Sequence, residues 1–200
     1  MCQDMSPLEK AIQFHGHICP GLLRGVRVAE FAQQYLGVNR DEDEELVAIV
    51  ENDACGVDAI QAILGCTFGK GNLIFKDYGK QVYTIVSRTQ NRAVRIAEQS
   101  GAFGAPEFAR YRELANRKDL SGEEQSEKER LQALMFEAIM TRPFEEMFAY
   151  RDVEPLVPPR AVIRKSVLCA GCQEAVMETR ATLTAKGWLC RECLELDSNN

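Results

Sequence analysis

Four cysteines near the end of the chain constrain its fold more than any other feature. Cys169, Cys172, Cys190 and Cys193 form two C-x2-C pairs with seventeen residues between them. A C-x2-C pair holds two thiolates on one tight knuckle, and two converging knuckles place four sulfurs at about 2.3 Å from one ion, the closed tetrahedral geometry that Zn²⁺ favours. A spacer of roughly 15–20 residues is the range found for such sites. Two disulfides or a rubredoxin-like iron are the alternative readings. Any of the three makes the tail a small module of its own.

Two hundred residues suit one domain of ordinary size plus a small one. The expected division is an α+β domain over residues 1–160 and a zinc finger over residues 161–200. Apolar residues make up 46% of the chain, enough for a packed core. The formal charge of −6 argues against a broad nucleic-acid footprint, which is normally basic, and against an anionic membrane surface. No apolar run approaches the roughly 20 residues that span a bilayer. The N-terminal segment lacks the charged and apolar regions of a signal peptide. A cytoplasmic location is therefore expected, where paired cysteines more often bind metal than form disulfides.

Ser6-Pro7-Leu8-Glu9 carries a capping box with proline at the first helical position, and predicts a helix ending near Phe14. A second helix is expected from about Gly21 to Leu36, with Gly37 as its stop. Asn39 to Glu45 reads as an acidic, solvated turn. Leu46 to Val50 is a continuous apolar run typical of a buried strand. Gly56 to Leu64 predicts a helix with Asp58 in its first turn. Asn72–Lys76 and Gln81–Arg88 predict two strands joined by a turn at 77–80. Asn91 to Gln99 is expected to be helical. Glu107–Lys118 and Gly122–Met140 predict two amphipathic helices, and Ala161–Leu168 a short strand entering the first knuckle. This order suggests an α+β domain with a mixed sheet flanked by helices.

A second chemical centre lies near the start. Both histidines of the chain fall in Phe14-His15-Gly16-His17-Ile18-Cys19-Pro20-Gly21. In an extended loop, residues 15, 17 and 19 project to one side with the period of two, giving two imidazoles and a thiolate as donors for a borderline-soft ion. Gly16 lets the backbone bend between the histidines. Cys19 should sit at a helix N-terminus, where free N–H groups favour a thiolate. Asn52-Asp53-Ala54-Cys55-Gly56 joins a strand to a helix, a place where polar groups face a crevice at the sheet's edge, so His15, His17, Cys19 and Cys55 are the candidate catalytic residues. His17, Cys19 and Cys55 are the expected ligands of a second metal ion, with His15 as fourth ligand or acid/base group. Cys66 lies eleven residues beyond Cys55, about 16 Å along a straight helix, and reads as a buried small residue. Cys2 carries no role. Asp58, Gln61 and Lys70 are the candidate cofactor-binding residues; plainer readings are a helix-start carboxylate, a surface glutamine and a turn lysine in Thr67-Phe68-Gly69-Lys70-Gly71, which lacks the full P-loop pattern.

The segments 14–21, 52–61 and Gly65-Cys66-Thr67-Phe68-Gly69-Lys70-Gly71-Asn72-Leu73 together resemble the formylmethanofuran dehydrogenase E-subunit family over roughly residues 8–140, and the tail resembles a zinc-binding extension found in some members. The resemblance implies an α+β core, a metal-binding site built from the H-G-H-x-C segment and the Cys55 turn, a treble-clef-like zinc finger, a homodimer, and a link to one-carbon redox metabolism through a dehydrogenase complex. It does not by itself make this chain a catalyst, and the chain lacks the cysteine run of a ferredoxin-like electron-transfer protein.

Two other functions stay open. The tail spacing is also similar to DksA/TraR-type fingers, and Arg180, Lys186 and Arg191 put positive charge there, which would suit a regulatory or assembly factor with a protein partner. Cys19 and Cys55 could alternatively act as a thiol-redox pair.

Overall fold

A computed structural model describes residues 5–102 and 108–198. The chain divides into two compact units, Met1–Arg160 and Ala161–Asn200. No helix among the described residues is long and apolar enough to cross a membrane.

In the first unit, α1 (Pro7–His15) opens with the expected capping box: Ser6 Oγ accepts from the Glu9 N–H and the Glu9 carboxylate accepts from the Ser6 N–H. Helix α2 (Pro20–Leu36) starts on Cys19 as its N-cap and stops at Gly37 in the left-handed region. Strand β1 (Leu46–Val50) leads into α3 (Gly56–Ala59), which continues as a π-helical turn over Ile60–Leu64. Strands β2 (Leu73–Phe75), β3 (Val82–Ser87) and β4 (Arg92–Glu98) follow, then α4 (Ala109–Ala115), α5 (Gly122–Thr141), the short α6 (Phe144–Met147) and β5 (Phe148–Val153). Glu107, the expected start of α4, and Cys2 lie outside the described residues.

The five strands form one mixed sheet in the order β2-β1-β3-β4-β5. β1 and β2 are parallel, and every other pairing is antiparallel. β2 and β3 are sequential but not neighbours, because β1 lies between them; the turn at 77–80 is a crossover rather than a hairpin. Central placement explains the unbroken apolar run of β1, which is covered on both faces. The core packs Ala11 of α1, Leu22, Val26 and Ala29 of α2, and Ile60 and Leu64 after α3 onto Ala48, Val50, Ile85, Val94 and Ile96 of the sheet. Each such aliphatic side chain contributes about 1.5–3 kcal/mol on full burial. The outer side of α2 packs Leu23 against Phe108 and against Met135 and Ile139 of α5. Arg27 ties the same helices by donating to the carbonyls of Ile139, Met140 and Arg142 at 2.7–2.9 Å.

Two expectations fail here. Residues 91–99 form a strand, not a helix. Alternate residues Val94 and Ile96 enter the main core while Ala93 joins Val47 and Val86 on the opposite face. A turn with Asn91 at φ 48° and the Ser87 Oγ accepting from Gln90 N–H folds β4 back on β3. Pairing on both edges thus overrides the helix preference of Ala, Arg, Glu and Gln. The acidic turn before β1 is not simply solvated either. Asp41 is 2% exposed, and its carboxylate accepts from the N–H groups of Leu46 and Glu44, from Asn72 Nδ2 and from the Lys70 ammonium.

Helices α2 and α3 meet at a glycine contact. A Cβ on Gly25 would stand 2.3 Å from the Gly56 carbonyl oxygen, and one on Gly21 would stand 3.1 Å from Cys55 Cβ. Only backbone fits between Gly25 and Gly56, and this approach draws the Cys55 turn against the start of α2.

The second unit runs β6 (Ser166–Leu168), a cysteine knuckle, β7 (Ala175–Met177), a 3₁₀ turn (Glu178–Arg180), β8 (Ala181–Thr184), β9 (Gly187–Cys190) and α7 (Arg191–Ser198). The antiparallel pairs β6/β7 and β8/β9, followed by a helix, give a treble-clef-like order. Cys169–Cys172 form the knuckle, and Cys190 and Cys193 end β9 and begin α7.

Candidate metal centres

His15 occupies the last turn of α1. Gly16 caps that helix with φ 92°, a left-handed conformation that suits glycine, and reverses the chain so that His17 swings back over His15. Their ring centroids are 4.5 Å apart. The expected extended run is therefore replaced by a helix end and a reversal, yet the same three donors converge. Ligand atoms of His15, His17 and Cys19 all lie within 4.8 Å of one another.

The imidazole of His15 is held from both sides. Its Nδ1–H donates to Asp58 Oδ2 at 2.7 Å, and its Nε2 lies 3.7 Å from Cys19 Sγ. A nitrogen at about 2.1 Å and a sulfur at about 2.3 Å from a tetrahedral ion stand about 3.6 Å apart, so this pair fits the group. The carboxylate fixes the tautomer that leaves Nε2 free for an ion, the usual outer-shell arrangement of a metal-binding histidine. Cys19 Sγ accepts from the Leu22 N–H at 3.4 Å, as its N-cap position provides. His17 is exposed, so the group opens to solvent on that side.

Cys55 does not join the three-donor group. Its thiol packs beside Cys19: the Cβ position of Gly21 is 3.7 Å from Cys55 Sγ and 3.9 Å from Cys19 Sγ. Burial, then the hydrogen bond and charge of Cys19, push the Cys55 thiol above its ordinary value. Gln61 donates to Asp58 Oδ1 at 3.4 Å and accepts from the Phe68 N–H at 3.3 Å, so it braces the carboxylate that orients His15. Lys70 is drawn elsewhere, onto Asp41 and the Glu42 carbonyl, and serves the loop junction. Cys66 is buried, as expected, with its thiol pushed up to about 12 by desolvation. Asp41, Asn72 and the Gly25–Gly56 contact were missed; the four-residue glycine spacing on α2 is the signal that could have found the last of these.

In the second unit, the sulfurs of Cys169, Cys172, Cys190 and Cys193 also lie within 4.8 Å of one another, with Cys172 and Cys190 4.0 Å apart. Four sulfurs at about 2.3 Å from one ion stand about 3.8 Å apart, so this set fits a tetrahedral ion. Backbone N–H groups, first that of Cys190 and then that of Cys172, lower the Cys169 thiol to about 6. The neighbouring Cys190 and Cys169 sulfurs raise Cys193 to about 12. Gly171 allows the close approach, since a Cβ there would lie 2.8 Å from Cys193 Sγ.

The sequence profile of the FmdE family, described as "Molybdenum formylmethanofuran dehydrogenase operon", matches residues 14–149. The chain belongs to the FmdE family. The FmdE match contains His15, His17, Cys19, Cys55 and Asp58. A solved FmdE-like protein of the tungsten formylmethanofuran dehydrogenase type, from Syntrophus aciditrophicus, is similar in structure, with TM-score 0.63 and 27% identity over 94% of this chain and 89% of that one. A "Probable S-adenosyl-L-methionine-binding protein" of Archaeoglobus fulgidus is 35% identical over 196 residues, 93% of this chain and 52% of the relative. The chain thus spans about half the length of that curated relative.

Proposed function

We propose that this chain is a two-site metal-binding protein of the FmdE family. A structural zinc ion is held by Cys169, Cys172, Cys190 and Cys193, and a second, open site is formed by His15, His17 and Cys19. The observation that carries the open site is the convergence of those three donors within 4.8 Å, with Asp58 already seated on the far nitrogen of His15. Three protein donors and an exposed side are the arrangement of a reactive rather than a closed site.

A metal ion there would supply Lewis acidity. The chain supplies the rest. Asp58 keeps the proton on His15 Nδ1 and the ring in register, Gln61 steadies Asp58, and the start of α2 offers an N–H to Cys19. Cys55 stands next to Cys19 as a thiol within reach of the centre. The chain then acts as an accessory or stand-alone protein linked to one-carbon redox metabolism, in the cytoplasm and as a homodimer. The binding of S-adenosyl-L-methionine named for the longer A. fulgidus protein is not part of this reading.

Cobalt replacement tests it. In full-length protein carrying Cys169→Ser and Cys172→Ser, Co²⁺ should give a thiolate-to-cobalt absorption band that disappears on adding Cys19→Ser and survives Cys55→Ser. A band indifferent to Cys19→Ser would overturn the assignment. A Cys19–Cys55 disulfide and no band would favour a thiol-redox protein instead.

A further inference from the structure

Beside the open centre lies a cleft of about 370 Å³, within the range of small-molecule sites. Its position follows from topology. β1, α3 and β2 form a parallel β-α-β unit, and the cleft opens at the carboxyl ends of its two strands, at Val50 and Phe75, where open α/β sheets bind ligands. His15, Cys55 and Asp58 form the wall nearest the centre.

The remaining lining is mostly apolar, from Val57, Leu73, Phe68 and Phe75. Phe68 is 80% and Phe75 47% exposed. Two exposed aromatic rings at the mouth of one cleft are a place where a flat apolar body would bury surface. The charged side chains that line it are Asp53 and Asp58, and no lysine or arginine does so among the described residues. Asn52, also in the lining, is committed to the Lys80 carbonyl and the Ala54 N–H. An anion would meet carboxylates without a compensating cation, whereas an ammonium would be matched.

We propose that this cleft is the ligand site of the open centre and that it takes a small molecule with a planar apolar ring and a neutral or cationic head, to the exclusion of anions. The ring lies against Phe68 and Phe75 and the head points toward Asp53 and Asp58. The assignment rests on the reading of His15, His17 and Cys19 as a metal centre, and fixes the class of ligand presented to it.

The test uses full-length, zinc-loaded protein and two probes of equal size, benzylamine and benzoate, followed by amide chemical-shift mapping, with zinc content measured on the same samples. Benzylamine should shift the amides of Asp53, Val57, Leu73 and Phe75, and benzoate should leave them unmoved at the same concentration. Phe68→Ala and Phe75→Ala should each weaken benzylamine roughly tenfold; Phe68 sits in an exposed loop, so that variant does not depend on the strand. Asp53→Asn should narrow the preference for the cation. Shifts confined to other surfaces, or benzoate binding as well as benzylamine, would overturn the proposal even with zinc fully bound. Benzylamine bound at the cleft in protein that holds no ion outside the four-cysteine cluster would instead overturn the metal centre while leaving the ligand class standing.

Discussion

Asp58 Oδ2 stands 2.7 Å from His15 Nδ1 across forty-three residues of sequence. This one contact joins the start of α3 to the end of α1, and decides which nitrogen of His15 faces Cys19. Asp58→Asn keeps the size of the side chain but removes the anionic acceptor. It should lower metal affinity at the open site by roughly 10–100-fold, read by chelator competition in the Cys169→Ser/Cys172→Ser background. An unchanged affinity would mean that the carboxylate does not orient the ring.

The glycine contact between α2 and α3 should be intolerant of any side chain. Gly25→Ala places a methyl group 2.3 Å from the Gly56 carbonyl oxygen, and the helices must separate. A loss of about 1–3 kcal/mol is expected, measured by urea unfolding, together with weaker metal binding as the Cys55 turn moves away from Cys19. Full retention of both would contradict the role given to this contact.

Asp41 sets an acid limit on the first unit. Burial alone would raise its carboxyl, but hydrogen bonds from Lys70, from the Leu46 and Glu44 N–H groups and from the Glu45 side chain outweigh it and hold the group below its ordinary value. A carboxyl lowered on folding contributes stability above its unfolded value, near pH 4, and loses that contribution as pH falls through the folded value. Lys70→Met removes the cation and leaves the buried carboxyl, so the acid-unfolding midpoint should move to higher pH. Phosphate should not protect the wild-type chain, since Lys70 is committed to Asp41.

Arg27 closes the C-terminal end of α5. Its three hydrogen bonds to carbonyls involve a charged donor, and Arg27→Ala should destabilise the chain by about 2–3 kcal/mol. Hydrogen exchange should show the last turn of α5 losing protection first; uniform loss across the chain would contradict a local capping role.

Much of this organisation was legible in the sequence, for physical reasons that can be named. The helix starts at Ser6 and Ser121 announce themselves because capping boxes are local. The cysteine knuckles are legible because metal geometry demands their spacing. H-G-H-x-C marks a site because both imidazoles of the chain fall within three residues of each other. What escaped depends on distant partners. β4 reads as helix until β3 and β5 pair with it. Asp41 reads as solvated until Asn72 and Lys70 reach it. Cys55 reads as a ligand, yet the reversal at Gly16 puts His15 in its place. The crossing of α2 and α3 depends on two glycines, thirty-one residues apart, meeting face to face.

The most direct measurement is an anomalous-scattering map of crystals of the full chain, grown reduced and without chelator. The account predicts two peaks, one among the four C-terminal sulfurs and one bounded by His15 Nε2, a ring nitrogen of His17 and Cys19 Sγ. A peak at the cysteine cluster alone, with Cys19 and the histidines coordinating nothing, would contradict it.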